Sequence, residues 1–493
     1  MKKRSSGVLM PISSLPSPYG IGTLGKTAYD WIDFLEEAGQ SWWQILPLGP
    51  TSYGDSPYQS FSSAAGNPYL IDLDMLVNEG LIEKKDIESC NWGSDPTRID
   101  YGAIYNSRFT VLYKAYLKGR ETLESEFARF KEENKEWVED YALFMSLKKH
   151  FDMKSWLEWP DEKVRKRDEE ALNEYRATLS DDISFYAFLQ FLFYRQWNEL
   201  RSYAKSKNIG IIGDIPIYVA LDSLDVWKDP DMFQLDENYV PEEVSGVPPD
   251  YFNEDGQLWG NPLYAWDKMK EDDFGWWKKR IGYASKLYDM IRFDHFRGLE
   301  SYYAIPFGEK TARKGRWVKG PGRSFTDAMN SAFPQIQFNA EDLGYMSQEV
   351  KDLLSASTWP GMKILMFAFD PREEGEDKPE EYKENSVCYT GTHDNTTLMG
   401  WLESLPDEFI NPLKERFGTE DFKKLSEEII KEGEKSKSFL MVVPIQDWLG
   451  MGKEARINTP GTASGNWQWR LESMDLLKNL APRIRETIGD RAQ

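Results

Sequence analysis

The stretch MIRFDHFRG (Met290–Gly298) decides how this chain reads. It opens as a short apolar run of the kind that is buried in a parallel sheet, and the run ends in arginine, aspartate and histidine. Arg292 and Asp294 are two residues apart, so on a strand their side chains share one face. The chain has only 3 histidines in 493 residues. Two stand beside aspartates, His295 in this stretch and His393 in THDN (Thr392–Asn395). Between them lies a third acidic site, NAEDLG (Asn339–Gly344), again at the end of an apolar run.

Working outward from Met290–Phe296, other short apolar runs bounded by turn residues complete a set of eight strands. The others are Gly7–Ser13, Trp42–Leu48, Ile211–Val219, Gln337–Asp342, Met362–Phe369, Val387–Thr392 and Leu440–Ile445. Helical patterns separate several of them. Thr27–Ala38 stops at Gly39, the residue type that ends helices, and Phe325–Phe333 and Glu349–Leu354 show the same periodicity. Strand and helix in alternation imply an α/β fold with a parallel sheet, and eight repeats predict a closed (β/α)8 TIM barrel. Two gaps are too long for simple crossovers and read as insertions, about 50–210 (partly helical) and about 220–289 (rich in Pro, Gly and Trp). Residues 1–493 therefore read as a single catalytic barrel with inserted subdomains and no C-terminal β-sandwich. Active sites of such barrels sit at the C-terminal strand ends, which brings Asp294, Glu341 and Asp394 to one mouth.

Composition narrows the function. The chain is 40% hydrophobic and 14% aromatic, enough for a large core, and its net charge is −22. That charge repels nucleic acid and anionic membranes and suits a neutral partner such as carbohydrate. Cys90 and Cys388 are the only cysteines, which excludes a disulfide framework and a cysteine-based zinc site. The opening MKKRSSGVLMPISSLPSPYG has no uninterrupted apolar core of a signal peptide, and no run reaches the roughly 20 apolar residues of a membrane span. A cytoplasmic protein is expected. Some of its 19 tryptophans are candidates for platforms on which sugar rings stack.

Breaking a glycosidic bond calls for an acid to protonate the departing oxygen and a group to trap or stabilise the anomeric carbon. Paired carboxylates do both when their environments push their pKa values apart. At about 5–5.5 Å separation one attacks directly and forms a covalent glycosyl-enzyme. A third carboxylate grips ring hydroxyls, and Arg292 beside Asp294 holds that carboxylate ionised. Asp342 points away from the face Glu341 uses and reads as structural. The same side chains also offer ligands to zinc or iron, but no HExxH or HxH spacing exists, so no metal is expected. No phosphate-cradling GxxxxGK is present and no cofactor is expected. A non-catalytic glucan-binding module is the other class of reading, and intact Asp294, Glu341 and Asp394 speak against it.

At these residues the chain closely resembles the 4-α-glucanotransferases called amylomaltases or disproportionating enzymes, within the broader α-amylase clan. The likeness runs essentially end to end through SSLPSPYGIGTLG (Ser13–Gly25), DSPYQSFSSAAGNPYLIDL (Asp55–Leu73), GDIPIYV (Gly213–Val219), GVPPDYFNEDGQLWGNPLY (Gly246–Tyr264), IRFDHFRG, NAEDLG and TGTHDN (Thr390–Asn395). The resemblance implies that Asp294 is the nucleophile, Glu341 the general acid/base and Asp394 the transition-state stabiliser. It implies that Arg292, His393 and Asp214 contact the nucleophile or the sugar bound next to it, with Asn395 as a further substrate contact. Tyr58 and Trp259 resemble stacking residues of a glucan groove, and Tyr53 and Tyr101 a second glucan-contact site. The expected partners are α-1,4-glucan donors and acceptors: maltooligosaccharides, starch or glycogen chains, and glucose. Glycosyl transfer then requires that water be kept out while the acceptor is held. The loop Val247–Phe252, with two prolines and the aromatics Tyr251 and Phe252, joins Trp259 as a candidate lid. Two features separate the chain from plain amylases: no histidine in GDIPIYVALD, and no strand-rich tail. Transfer of α-1,4-glucan segments by retaining double displacement is the expectation.

Overall fold

A computed structural model describes residues 3–249, 253–344, 346–373 and 377–492, apart from the side chain of Tyr53. In chain order its strands are β1 (Ser5–Leu9), β2 (Trp42–Gln44), β3 (Gly210–Ile215), β4 (Glu243–Val247), β5 (Gln257–Pro262), β6 (Met290–Phe293), β7 (Ser301–Pro306), β8 (Arg316–Lys319), β9 (Gln337–Ala340), β10 (Gly361–Ile364), β11 (Ser386–Tyr389) and β12 (Leu440–Pro444). Eight of them close a barrel in the order β1-β2-β3-β6-β9-β10-β11-β12. Every neighbouring pair is parallel. These are the eight strands expected, each overlapping its predicted run and each ending earlier. β3 stops before Pro216, which has no N–H to give to a ladder. β6 stops at Phe293, and two residues later His295 takes φ 50° and turns the chain into a short 3-10 turn at Phe296–Leu299.

Strand register sets the height of the site. Asp214 of β3 lies opposite Arg292 of β6, and Arg292 lies opposite Asn339 of β9. Parallel partners project to the same face, so the three residues occupy one layer inside the barrel. The ladder continues one step past the strand ends. Asp294 N–H donates to the Ile215 carbonyl (3.0 Å) and Glu341 N–H to the Phe293 carbonyl (2.9 Å). Both carboxylates therefore sit on backbone that is still fixed by the sheet, one layer above Arg292.

The segment between β2 and β3 is largely helical. Its longest helix, Ser180–Ser206, is packed by aromatic residues, with Phe188 against Tyr116 and Phe127 at ring-centroid distances of 5.7 and 5.3 Å. Two glutamines on this helix brace the irregular chain beside the barrel mouth. Gln190 both accepts from Gly66 N–H (2.7 Å) and donates to Gly66 O (2.9 Å); Gln196 does the same for Asp72 (2.7 and 3.1 Å). Two-point amide pairing fixes that backbone as a strand neighbour would, and the same segment carries Tyr58.

The insertion at 220–289, rich in Pro, Gly and Trp, contributes regular strands as well as loops. β4 and β5 lie there and build a four-stranded antiparallel sheet, β5-β4-β7-β8, with two strands from the segment between β6 and β9. Sequence periodicity did not reveal them. EVSGV and QLWGNP contain glycine and proline, and RWVK is only four residues long with little burial. The helix Gly275–Leu287 follows and returns the chain to β6.

Gly213, immediately before Asp214, lacks a side chain for a steric reason. A Cβ there would lie 2.1 Å from Cγ of Tyr288. Gly213→Ala is expected to push Tyr288 out of place and to lower unfolding free energy by about 1–3 kcal/mol. The measurement is a denaturant titration, in which an unshifted midpoint would refute this packing account.

Candidate active site

Arg292 is the centre of the arrangement. Its Nη1 donates to Asp214 Oδ2 at 2.6 Å and to Asp294 Oδ1 at 2.9 Å. Arg292 and Asp214 are each only 2% exposed, so this is an ion pair inside the barrel. Burial alone would lower the guanidinium pKa; Asp214 and then Asp294 more than reverse that and hold the charge firmly. Asp214 feels the opposite pull, with burial raising its pKa and Arg292 resisting.

Tyr58 ties this pair to the loop after β11. Its hydroxyl lies 2.8 Å from Asp214 Oδ2 and 2.8 Å from His393 Nε2. An ionised Asp214 only accepts, so the Tyr58 O–H points at it and the tyrosine oxygen accepts from His393 Nε2–H, an assignment made from the network. Burial lowers the His393 pKa, with Asp394 opposing, so the imidazole is neutral. Its ring stacks on Tyr58 with centroids 5.3 Å apart and an interplanar angle of 23°. Asp394 Oδ2 lies 3.4 Å from His393 Nε2.

Glu341 occupies the other side of Asp294. Its Oε2 accepts from His295 N–H (2.7 Å) and its Oε1 from Leu343 N–H (3.1 Å), which fixes the carboxyl between two backbone donors. Burial pushes its pKa up to about 8; Arg292 opposes and Asp294 adds to the rise. Asp294, by contrast, has a direct bond to the buried guanidinium. Two carboxyls at one mouth thus have different surroundings: Glu341 is suited to keeping a proton, and Asp294 is bonded to a cation. His295 is driven down to about 4, chiefly by burial, and is neutral as well.

Asp294, Glu341 and Asp394 all line one open cavity of about 1490 Å³, together with Tyr58, Arg292, Trp259 and Asn395. Trp259 stands edge-on to His295 at 4.9 Å and bonds Gln257 through its Nε1. The Asn395 side-chain oxygen accepts from Thr392 N–H (2.8 Å) and its hydroxyl (3.0 Å), closing the THDN turn. Asp214 and His393 lie behind this lining. Tyr101 is elsewhere: it bounds a separate pocket beside Asp55 and Trp467, with its hydroxyl on the Trp467 carbonyl at 2.8 Å. Tyr251 and Phe252 lie outside the described residues, as does the side chain of Tyr53. Asp342 is structural in the way expected, accepting from Met362 N–H at 2.6 Å.

Sequence reading missed the residues that aim Asp394. Asn458 Nδ2 donates to Asp394 Oδ1 at 2.6 Å, and Arg456 Nη2 donates to the Asp394 carbonyl at 2.6 Å. Both sit in RINTPGTASGN (Arg456–Asn466), a polar, glycine-containing loop after the last barrel strand. Its position at the C-terminal face was the available signal. Asp447 was missed too. Buried beyond β12, it accepts from Thr390 Oγ1 (2.5 Å) and Leu398 N–H (2.7 Å), so one carboxylate pins both ends of the loop bearing His393, Asp394 and Asn395. Among the described residues no group of three or more His, Cys, Asp or Glu stands in a metal-holding arrangement.

Comparison with known proteins agrees with this geometry. The glycoside hydrolase family 77 model, described as 4-alpha-glucanotransferase, matches residues 10–476. The chain belongs to that family. It is 46% identical over 483 residues to the 4-alpha-glucanotransferase of Clostridium butyricum, covering 96% of this chain and 98% of that one. Identity to the Streptococcus pneumoniae 4-alpha-glucanotransferase is 44% over 492 residues, covering 99% and 97%. The solved amylomaltase from Streptococcus agalactiae in complex with acarbose superposes with a TM-score of 0.95 at 42% identity, covering 98% of both chains. Transfer of α-1,4-glucan segments is the reaction of this family, and the chain is an enzyme of that kind with α-1,4-glucans as its substrates.

The Glu341 proton makes stability depend on pH. The native state keeps it up to about 8, whereas an unperturbed glutamic acid releases it near 4.5. Between those values the folded protein binds more protons, so this residue's contribution to stability falls as pH rises. Glu341→Gln removes the ionisation and is expected to raise Tm, relative to the parent protein, more at pH 8 than at pH 5. Scanning calorimetry at the two values decides it, and equal differences would contradict the assignment.

Proposed function

We propose that the three carboxylates divide a retaining double displacement. Glu341, protonated, gives its proton to the glycosidic oxygen while an Asp294 oxygen attacks the anomeric carbon from the opposite face. The C–O bond to the leaving chain breaks, and a covalent ester to Asp294 forms. Asp394 stabilises the charge that develops on the sugar. Glu341, now ionised, takes the proton of an acceptor hydroxyl, which attacks the same carbon and releases Asp294. Two inversions leave the α configuration unchanged.

One observation carries this assignment: Asp294 is bonded to a buried guanidinium, while Glu341 is buried with its pKa near 8. The nucleophile is held by a cation, and the acid is kept protonated by burial. Arg292 fixes Asp294, Tyr58 and His393 brace the wall of the glycosyl site, and Trp259 offers an aromatic face to the groove. Val247 and Pro248 line the same cavity, which supports a role for the loop they begin as a cover that excludes water from the ester. The helical and mixed insertions serve one catalytic barrel spanning the chain. The described helices include none long and apolar enough to cross a membrane. The free thiols of Cys90 and Cys388 support a reducing compartment, the cytoplasm.

Incubation of the protein with maltotriose is expected to give free glucose and a ladder of longer oligomers, resolved by chromatography. Glucose and maltose alone would mark a hydrolase. Asp294→Asn is expected to reduce turnover by about 10⁴-fold, the scale set by loss of a catalytic nucleophile or its partner. Glu341→Gln should lose turnover while still binding glucan in calorimetry; retained turnover would remove it from the acid/base role.

A further inference from the structure

Trp317 is among the most exposed large apolar side chains of the described residues, at 41% exposure, yet it is not on an outer surface. It projects from β8 into the same cavity that holds Asp294 and Glu341. Its indole is held in place by two neighbours. The Arg297 guanidinium carbon lies 4.0 Å from the ring centroid, and Tyr303 packs edge-on at 5.2 Å. Arg297 is itself buried and stands three residues after Asp294, on the turn that follows β6. A cation over one face fixes the ring plane of a side chain that lines the groove. An apolar, flat, pre-oriented surface of this kind matches the C–H face of a pyranose, and an Arg-backed ring loses little freedom when the sugar arrives.

The position of the ring indicates which half of the substrate it meets. Arg292, Asp214, Tyr58, His393 and Asp394 form a continuous network around one side of Asp294. Glu341 stands on the other side, bonded to His295 N–H, and Arg297 and Trp317 continue outward from His295. The general acid faces the leaving oxygen, so this second side holds the leaving chain and afterwards the acceptor. We propose that Trp317, backed by Arg297, is a stacking site for a glucosyl unit of the acceptor chain beyond the reacting residue, and that it favours long acceptors over glucose. The inference rests on the transferase reading of the groove and adds a specificity-determining residue to it.

The test uses α-maltotriosyl fluoride as donor, whose small leaving group keeps the acceptor side empty, with glucose, maltose, maltotriose and maltotetraose as acceptors. The transferase reading itself is checked by the unmodified protein, which must elongate these acceptors. For Trp317→Ala, acceptor KM is expected to rise by about tenfold for maltotetraose, the scale of one lost aromatic contact, and by progressively less for shorter acceptors. Trp317→Phe should recover part of the loss, and hydrolysis of the fluoride should gain relative to transfer. The proposal is overturned by an equal rise for every acceptor, which marks a purely structural tryptophan, or by no rise for any. Elongation absent from the unmodified protein would instead refute the function on which the proposal stands.

Discussion

The site depends on a positive charge that the fold has no easy way to lose. Arg292 is buried inside the barrel, where an unpaired guanidinium is prohibitively unfavourable, and two carboxylates meet its demand. Asp214 supplies a buried counter-charge from the neighbouring strand, level with Arg292 in register. Asp294 supplies the second, one layer higher and open to the groove. The two differ in place: Asp214 is buried beside the guanidinium, whereas Asp294 lines the groove. The pair leaves Asp294, the proposed nucleophile, bonded to Arg292 and still facing the groove.

The same charge explains why neighbouring groups behave differently. Two histidines border the site and both are held neutral by burial, so neither adds positive charge beside the carboxylates. Glu341 is close enough to feel Arg292 but has no bond to it; its partners are the backbone N–H groups of His295 and Leu343. Burial therefore governs Glu341, whereas the direct ion pair governs Asp294. Carboxyls of similar intrinsic acidity acquire opposite roles from which of them the guanidinium touches.

How much of this was legible in the sequence follows from the range of the interactions. Barrel strands announce themselves because each is a contiguous apolar run buried on both faces, and the residue two past Arg292 must share its face. The eight strands and the convergence of Asp294, Glu341 and Asp394 were therefore readable, and the roles of the three came from family resemblance. The antiparallel sheet was not readable, since β4 and β5 are interrupted by glycine or proline, β8 is only four residues long and little buried, and all gain their order from pairing across two insertions. Asn458, Arg456 and Asp447 were invisible for a related reason. Each acts on a loop roughly fifty to sixty residues away in sequence, through a hydrogen bond that leaves no periodic or local trace. Tyr101, which the resemblance placed in a second glucan-contact site, bounds a pocket apart from the main groove, with its hydroxyl on the Trp467 carbonyl.

Chemistry and selectivity are carried by different parts of the fold. The network around Arg292 stands on barrel strands and the turns directly after them, where register and ladder bonds fix positions to a fraction of an ångström. Trp259 and Trp317 stand on the added sheet, which reaches the barrel through two separate insertions. A bond-breaking centre tolerates little displacement, because misplacing a reacting atom by about 1 Å costs orders of magnitude in rate. A stacking platform for a distal sugar tolerates more, since ring-on-ring contact is broad and graded. Placing the platforms on an appended sheet lets their spacing change without moving the carboxylates. On the proposed roles, acceptor choice is open to change at β5 and β8 while Asp294 keeps its place.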